Sequence, residues 1–239
     1  MIESVILGEA KEVLKTIEDK SVKLIYIDPP YFTQRNFVEF DDRFPSIINY
    51  SNFIENIMLD STRVLSDDGN FLIHVDWHAS HYVRMACDNV FGYDNFQNEI
   101  IWCYNSGGAS KKRLSRKHDN IFWYTKSKDN YIFNPMREPY ATPNVQDRAG
   151  FHKDGRLLND WWPMSIISTT ANERNGYPTQ KPLQLLERIV SLFSNEGDLV
   201  LDYFCGSGTT GVAAKNLNRQ FIISDQNPNA IEIAKERLL

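Results

Sequence analysis

An aspartate, two prolines and a tyrosine, Asp28-Pro29-Pro30-Tyr31, directly follow the apolar run "KLIYI". Neither proline has a backbone N–H, and a residue before proline is driven to extended backbone, so Asp28 and Pro29 are stiffly held. The wall they form presents acceptors: the Asp28 carboxylate and backbone carbonyls. Its complement is a primary amino group conjugated to a ring, which offers two N–H donors and a delocalised lone pair. Accepting both hydrogens draws that nitrogen toward a tetrahedral shape and frees the lone pair for attack. The same wall repels thymine O4 and guanine O6, and Tyr31 supplies a flat face on which an extruded base can stack.

A second loop carries a different chemistry. In "CGSGTTG", Gly206, Gly208 and Gly211 form G-x-G-x-x-G between the strand signal "LVLDYF" and the helix signal "TTGVAAKNL", and Asp225 ends the next strand, "QFIISD". Glycines let backbone approach a ligand, the helix N-terminus supplies N–H groups, and an acid at the next strand tip accepts ribose hydroxyls. The loop lacks the Gly-Lys-Ser/Thr of a phosphate-cradling NTPase, so that class is excluded. Dinucleotide and S-adenosylmethionine sites both fit the glycines. A dinucleotide fingerprint normally opens its domain, whereas only one strand and one helix follow this one. A sulfonium donor would need alignment with the attacking nitrogen more than activation.

The two loops lie near opposite ends of the chain, so the elements between them must bring them together. "SVILG" is a short apolar run, "EAKEVLKTIED" has helical spacing through Val13, Leu14 and Ile17, and "KLIYID" is a second strand. A helix is predicted over Tyr50 to Leu65, ended by "SDDGN", then strand "FLIHV", helix "HYVRMACDNVF" and strand "EIIWCYN". This alternation predicts a parallel sheet with helices on both sides. From Ser106 to Tyr177 the regularity fades, leaving one predicted strand pair, "NIFWYTK" with "NYIFN", in an insertion suited to specificity. The amphipathic "KPLQLLERIVSLF" and four closing elements follow. Those four cannot make a sheet alone, so they must pair with strands from the start of the chain. The fold class is therefore α/β, a circularly permuted doubly wound sheet. With "LVLDYF" beside "KLIYID" at the switch point, both loops open on one crevice.

The 239 residues, 42% hydrophobic and 24% charged, suit one globular domain or one with a modest insertion. The apolar runs are too short to cross a bilayer and the N-terminus lacks a basic leader, so a cytoplasmic protein without a membrane partner is expected. Cys87, Cys103 and Cys205 are odd in number and scattered, as reduced thiols are. A net charge of −5 argues against a generic nucleic-acid binder, yet Lys111 to Lys128 holds seven Lys or Arg against one Asp. With Phe122, Trp123 and Tyr124 following it, this island fits a phosphate-facing patch through Lys111, Lys112, Arg113, Arg116 and Lys117, or a solvated loop. His74, His78 and His81 lack the spacing of a metal set, and no metal is expected. Asp76 either lines the cleft or caps the helix after it. Trp161 and Trp162 suit a base pocket or core packing.

The order and content of these motifs resemble the beta class of amino-methylating DNA methyltransferases, in which the catalytic motif precedes the cofactor motif. The resemblance runs along nearly the whole chain. "DPPY" is similar to the catalytic motif, which implies catalytic roles for Asp28, Pro29, Pro30 and Tyr31, with Asp28 also touching the cofactor. "DYFCGSGTT" resembles the S-adenosylmethionine loop, implying contacts from Asp202, Tyr203, Phe204, Gly206, Gly208, Thr209 and Thr210, and Asp225 stands where the ribose-binding acid lies. "YPTQKP" resembles the segment that helps hold the methionine part, implying Thr179, Gln180 and Lys181. "LGEAKEVL" resembles the opening strand and turn, with Glu9 where aspartate is usual. The resemblance thus implies a Rossmann-like methyltransferase sheet, with a catalytic half at 1–105, a target-recognition insertion at 106–174 and a cofactor half at 175–239. The implied reaction moves a methyl group from S-adenosylmethionine to N6 of a flipped adenine in double-stranded DNA. The family tends to use Asp-Pro-Pro-Tyr for adenine and Ser-Pro-Pro-Tyr for cytosine N4. The alternatives are an N4-cytosine enzyme and a non-catalytic DNA-binding relative in a restriction complex. A frequent homodimer and a restriction endonuclease partner are also implied.

Overall fold

The computed structural model describes residues 2–36, 40–105, 108–142 and 144–238. The start of the expected insertion, 106–107, lies outside the described residues. In chain order the elements are β1 (Glu3–Leu7), α1 (Ala10–Lys15), β2 (Val22–Ile27), α2 (Ile47–Val64), β3 (Leu65–Val75), α3 (Ser80–Phe91), β4 (Phe96–Cys103), β5 (His118–Thr125), β6 (Arg137–Glu138), β7 (Arg156–Leu157), β8 (Trp161–Pro163), α4 (Leu183–Phe193), β9 (Leu199–Asp202), α5 (Thr209–Asn216), β10 (Gln220–Asp225) and α6 (Pro228–Leu238). Eight strands form one sheet in the order β1-β10-β9-β2-β3-β5-β4-β8, while β6 and β7 pair separately.

Alternate residues of the central strands feed two core layers. Ile25, Ile27, Phe71, Ile73, Phe122 and Tyr124 pack beneath α1, α2 and α3. Leu24, Tyr26, Leu72, Ile121 and Trp123 pack on the other face with α4, α5 and α6. Strands apolar on both faces belong inside a sheet covered on both sides, which these are. β9 lies parallel to β2, with Leu24 beside Val200 and Ile25 beside Leu201. The connection from β9 leaves through α5 and that from β2 through α2, on opposite faces, so this junction is the expected switch point. The permuted doubly wound sheet read from the sequence is the architecture observed.

The predicted strand pair is not. "NIFWYTK" does not pair with "NYIFN". It lies within β5, antiparallel to both β3 and β4, with Ile121 opposite His74 on one side and Ile100 on the other. The reason is burial: Ile121, Phe122, Trp123 and Tyr124 are all buried, and a surface hairpin would leave half of them in water. "NYIFN" forms no strand; its Ile132 N–H donates to the Asp68 carbonyl at 3.1 Å and Asn134 N–H to that of Leu192 at 2.8 Å. The sheet is therefore mixed at one end, and the segment 106–174 supplies two of its strands, β5 and β8. The strand predicted at "FLIHV" also starts earlier, at Leu65, directly where α2 ends, so "SDDGN" is part of β3. Among the described residues no helix is long and apolar enough to cross a membrane.

Candidate active site at the switch point

The two loops do face one crevice, a cavity of about 620 Å³. Its walls include Asp28, Pro29, Pro30 and Tyr31, the predicted cofactor residues Glu9, Thr179, Gln180, Lys181, Asp202, Tyr203, Phe204, Gly206, Thr209, Thr210 and Asp225, and Tyr26, Thr33, Asp42, Phe44 and Phe53. The size suits a small-molecule site.

β2 runs straight into the proline corner, which places Asp28 at its carboxyl end. Tyr31 donates its hydroxyl to Asp28 Oδ1, and Lys181 donates from Nζ to Asp28 Oδ2. Lys181 stands just before α4, so this ion pair ties the Tyr177–Pro182 segment to the Asp28 corner; its two side chains are 13% and 16% exposed. The Tyr50 hydroxyl donates to the Pro30 carbonyl at 2.9 Å. That bond ties the corner to α2.

The residues after Tyr31 are held by a group the sequence did not single out. Phe32 and Gln34 adopt φ of 60° and 61°, uncommon for side chains of this size. Asp42, 1% exposed, fixes this turn by accepting the Phe32 and Thr33 N–H groups, each at 2.8 Å, and the Thr33 hydroxyl. Nothing in the spacing of "FDDRF" distinguishes Asp42 from Asp41, which pairs with Arg43 on the surface. Tyr50 and Phe53 were equally illegible as ordinary members of an amphipathic helix, and Phe44 as a lone aromatic in the loop before it.

The glycine loop divides its labour. Gly206, at φ 48°, donates its N–H to Asp225 Oδ2 at 2.9 Å and lies against Tyr177, whose ring would be 3.1 Å from an added Cβ. Gly208 does not line the cavity. At φ 78° it caps α5, and an added Cβ would stand 2.7 Å from the Ala234 Cβ of α6. Its lack of a side chain serves the packing of α5 on α6. Gln180 reaches the cavity, but its amide spans the preceding loop, donating to the Glu173 carbonyl at 2.7 Å and accepting Asn175 N–H at 3.0 Å.

Tyr203 is 1% exposed and shares a hydrogen bond with Ser61 at 2.7 Å, tying the end of β9 to α2. Trp162 is 2% exposed and belongs to the core, while Trp161 is 51% exposed on the edge strand β8; neither lines the cavity. Asp76 accepts from His78 N–H at 2.8 Å and lies 2.7 Å from its Nδ1; α3 has Ala79 at its N-cap with no side-chain cap, and Asp76 does not line the cavity, so it takes neither of its two expected roles. Lys111, Lys112, Arg113 and Arg116 are exposed on the loop before β5, away from the cavity walls, and Lys117 is half-buried beside them. The Arg116 guanidinium lies 3.2 Å over the Trp77 ring, just past the end of β3.

Two acids lie on the cofactor side. Burial pushes the Asp202 carboxyl up to about 7, against the stabilising Thr210 hydroxyl and Phe204 N–H, with Asp28 and Asp225 adding to the rise. Burial raises Asp225 too, offset by backbone N–H groups including those of Asn227 and Gly206. A carboxyl raised on folding contributes stability that is complete below its unfolded value of 3.8 and lost as pH rises through about 7. The melting temperature of the wild type relative to Asp202→Asn is therefore expected to fall between about pH 4 and pH 7 and to level off above it. A difference that stays flat over this range would remove the burial effect. Two buried carboxyls and a close backbone approach at Gly206 suit a ribose and a cation, as an S-adenosylmethionine molecule carries.

Comparison with known proteins agrees with this geometry. The family model described as DNA methylase, covering N6 and N4 enzymes, matches residues 22–236. The type II methyltransferase M.HpaI of Haemophilus parainfluenzae is 33% identical over 238 residues, covering 100% of this chain and 74% of that protein. The DNA adenine methyltransferase YhdJ of Escherichia coli K12 is 29% identical, covering 98% of this chain and 82% of its own. The solved complex of M1.HpyAVI with SAM superposes with a TM-score of 0.71 at 26% identity, covering 100% of this chain and 99% of that one. The chain belongs to the N6/N4 DNA methylase family and is an S-adenosylmethionine-dependent DNA methyltransferase.

Proposed function

We propose that this enzyme methylates N6 of an adenine flipped out of duplex DNA, with the cavity at the switch point as the transfer site. The observation that carries the reading is that the Asp28 corner and the Gly206 loop line one cavity, with the Tyr177–Pro182 segment tied to the corner by the Lys181–Asp28 ion pair. Asp28 and the Pro29 carbonyl accept the two amino hydrogens. Each carboxylate oxygen has a second lone pair, so Asp28 can accept an amino hydrogen while Tyr31 and Lys181 remain bonded to it. The cofactor supplies a methyl group on a positively charged sulfur. The adenine nitrogen takes that methyl as the carbon–sulfur bond breaks, leaving a neutral thioether, and the surplus proton passes to Asp28 and then to water. Glu9, Asp202 and Asp225 hold the cofactor from the acid side, Thr179, Gln180 and Lys181 from the other. Tyr203, Phe204, Thr209 and Thr210 complete its walls, and the backbone of Gly206 approaches it.

Adenine is favoured because aspartate heads the motif, and the name of the YhdJ relative supports it. The residues 106–174 read the DNA sequence, and Lys111, Lys112, Arg113, Arg116 and Lys117 bind phosphates beside the target, on a loop whose Arg116 stacks on Trp77 just past the carboxyl end of β3, the strand beside β2. The same reading includes a cytoplasmic homodimer and a companion restriction endonuclease; the type II name of M.HpaI supports the latter.

Incubation of unmodified duplex DNA with methyl-labelled cofactor, followed by nucleoside chromatography, is expected to yield N6-methyladenine. Label in N4-methylcytosine would overturn the base assignment, and no label on any DNA would overturn the transfer site.

A further inference from the structure

Behind the cavity wall lies a buried polar chain to which the mechanism above gives no task. His74, 0% exposed, sits in β3 with Nδ1 at 2.8 Å from the Tyr26 hydroxyl and Nε2 at 3.2 Å from Asp119 Oδ2. Tyr104 donates its hydroxyl to Asp119 Oδ1 at 3.0 Å. One arrangement uses every hydrogen: Tyr26 O–H to Nδ1, Nε2–H to Asp119, and Tyr104 O–H to Asp119. Burial works against the Asp119 charge, but His74, Lys181 and Tyr104 outweigh it and hold the carboxyl below its ordinary range. A buried ionised carboxylate with no structural element to cap is costly and calls for a role.

The chain leads to the residues around Asp28. The His74 imidazole lies against the Tyr31 ring, with centroids 6.2 Å apart and planes 25° from parallel, and Trp102 packs edge-on against His74 at 5.5 Å. Lys181, the ion-pair partner of Asp28, sits 5.5 Å from the centroid of the same Tyr31 ring. We propose that Asp119 and His74 are positioning residues for methyl transfer. Asp119 fixes the imidazole in one orientation, and the imidazole sets the tilt of the Tyr31 ring that receives the flipped base. Neither Asp119 nor His74 lines the cavity, so both act through Tyr31. The proposal rests on the roles given above to Asp28 and Tyr31.

The test is a double-mutant cycle with His74→Phe, which keeps a flat ring under Tyr31 but loses both hydrogen bonds, and Asp119→Asn. An amide offers one acceptor oxygen, so it cannot accept from both His74 and Tyr104. Each single variant is expected to lower kcat on duplex DNA by about 10-fold to 100-fold, the scale of a small misplacement of reacting groups. Cofactor affinity by calorimetry should stay within about 2-fold, because the chain does not touch the glycine loop. The double variant should be no slower than the slower single, since both act along one path. Tyr104→Phe, a milder change at a half-buried hydroxyl, should lower kcat less and in the same direction. Unchanged kcat in folded Asp119→Asn would overturn the proposal, as would losses that multiply in the double variant, or a fall in cofactor affinity matching the fall in kcat. If Asp119→Asn does not fold, unchanged kcat in Tyr104→Phe overturns it. Retained turnover in Asp28→Ala would instead remove the underlying transfer site, so the two ideas fail on different variants.

Discussion

Asp28→Ala is expected to lower methyl transfer to DNA by about 10³-fold while S-adenosylmethionine still binds, because the acceptor is preorganised where the amino group must be held. The cofactor contacts come largely from the other half of the cavity, at Gly206, Asp202 and Asp225, and these do not depend on Asp28. The structure adds a second effect. Lys181 Nζ is paired with Asp28, and deleting the carboxylate leaves a mostly buried ammonium without its partner, a loss on the order of 3–5 kcal/mol for a buried pair. Asp28→Ala should therefore also melt early. Adding Lys181→Met to it should restore much of the melting temperature and none of the transfer. Rates on labelled cofactor, with binding followed by calorimetry, separate the two effects. Turnover retained by Asp28→Ala would end its assignment as the amino acceptor.

Gly208→Ala is expected to cost stability, whereas Gly206→Ala is expected to cost cofactor affinity. At Gly208, φ of 78° puts a side chain in left-handed backbone, a penalty of about 1–2 kcal/mol. The new methyl would stand 2.7 Å from the Ala234 Cβ and 3.1 Å from its Cα, so α6 must shift, at about 1–3 kcal/mol for an overpacked contact. The sum, about 3 kcal/mol, corresponds to roughly 10 °C in melting temperature for a chain of this length. At Gly206, φ of 48° carries a similar backbone penalty, but the added methyl meets only the Tyr177 ring at 3.1 Å, a side chain that can give way, so the melting loss is smaller; standing at the cavity wall, it weakens cofactor binding instead. Thermal melts with and without S-adenosylmethionine distinguish the pair. Equal melting losses with equal cofactor affinity in both variants would contradict the division of roles.

The corner at Asp28 was legible because its stiffness is local: two rings without N–H groups, a strand before them, and acceptors left over. The glycine loop was legible for the same reason, and the strand beside it gave the switch point. Both-face burial in "NIFWY" was visible as composition, yet its partners were not. Nothing within "NIFWYTK" says whether its neighbour is the next apolar run or a strand far back in the chain, and the nearer run was the wrong one. That choice decides where Asp119 lies. In a surface hairpin it would be a solvated acid, whereas between β3 and β4 it is buried against His74.

The motif order and residue types by themselves determined the class of chemistry and the permuted sheet, since backbone restriction and apolar periodicity act over a few residues. The Lys181–Asp28 ion pair, the Asp42 clamp on the turn after Tyr31, the packing role of Gly208 and the spent amide of Gln180 were decided by the tertiary structure alone. Each depends on which distant side chain arrives first at a donor, an acceptor or a gap. That is settled by burial summed over the whole sheet, which no short stretch of sequence contains.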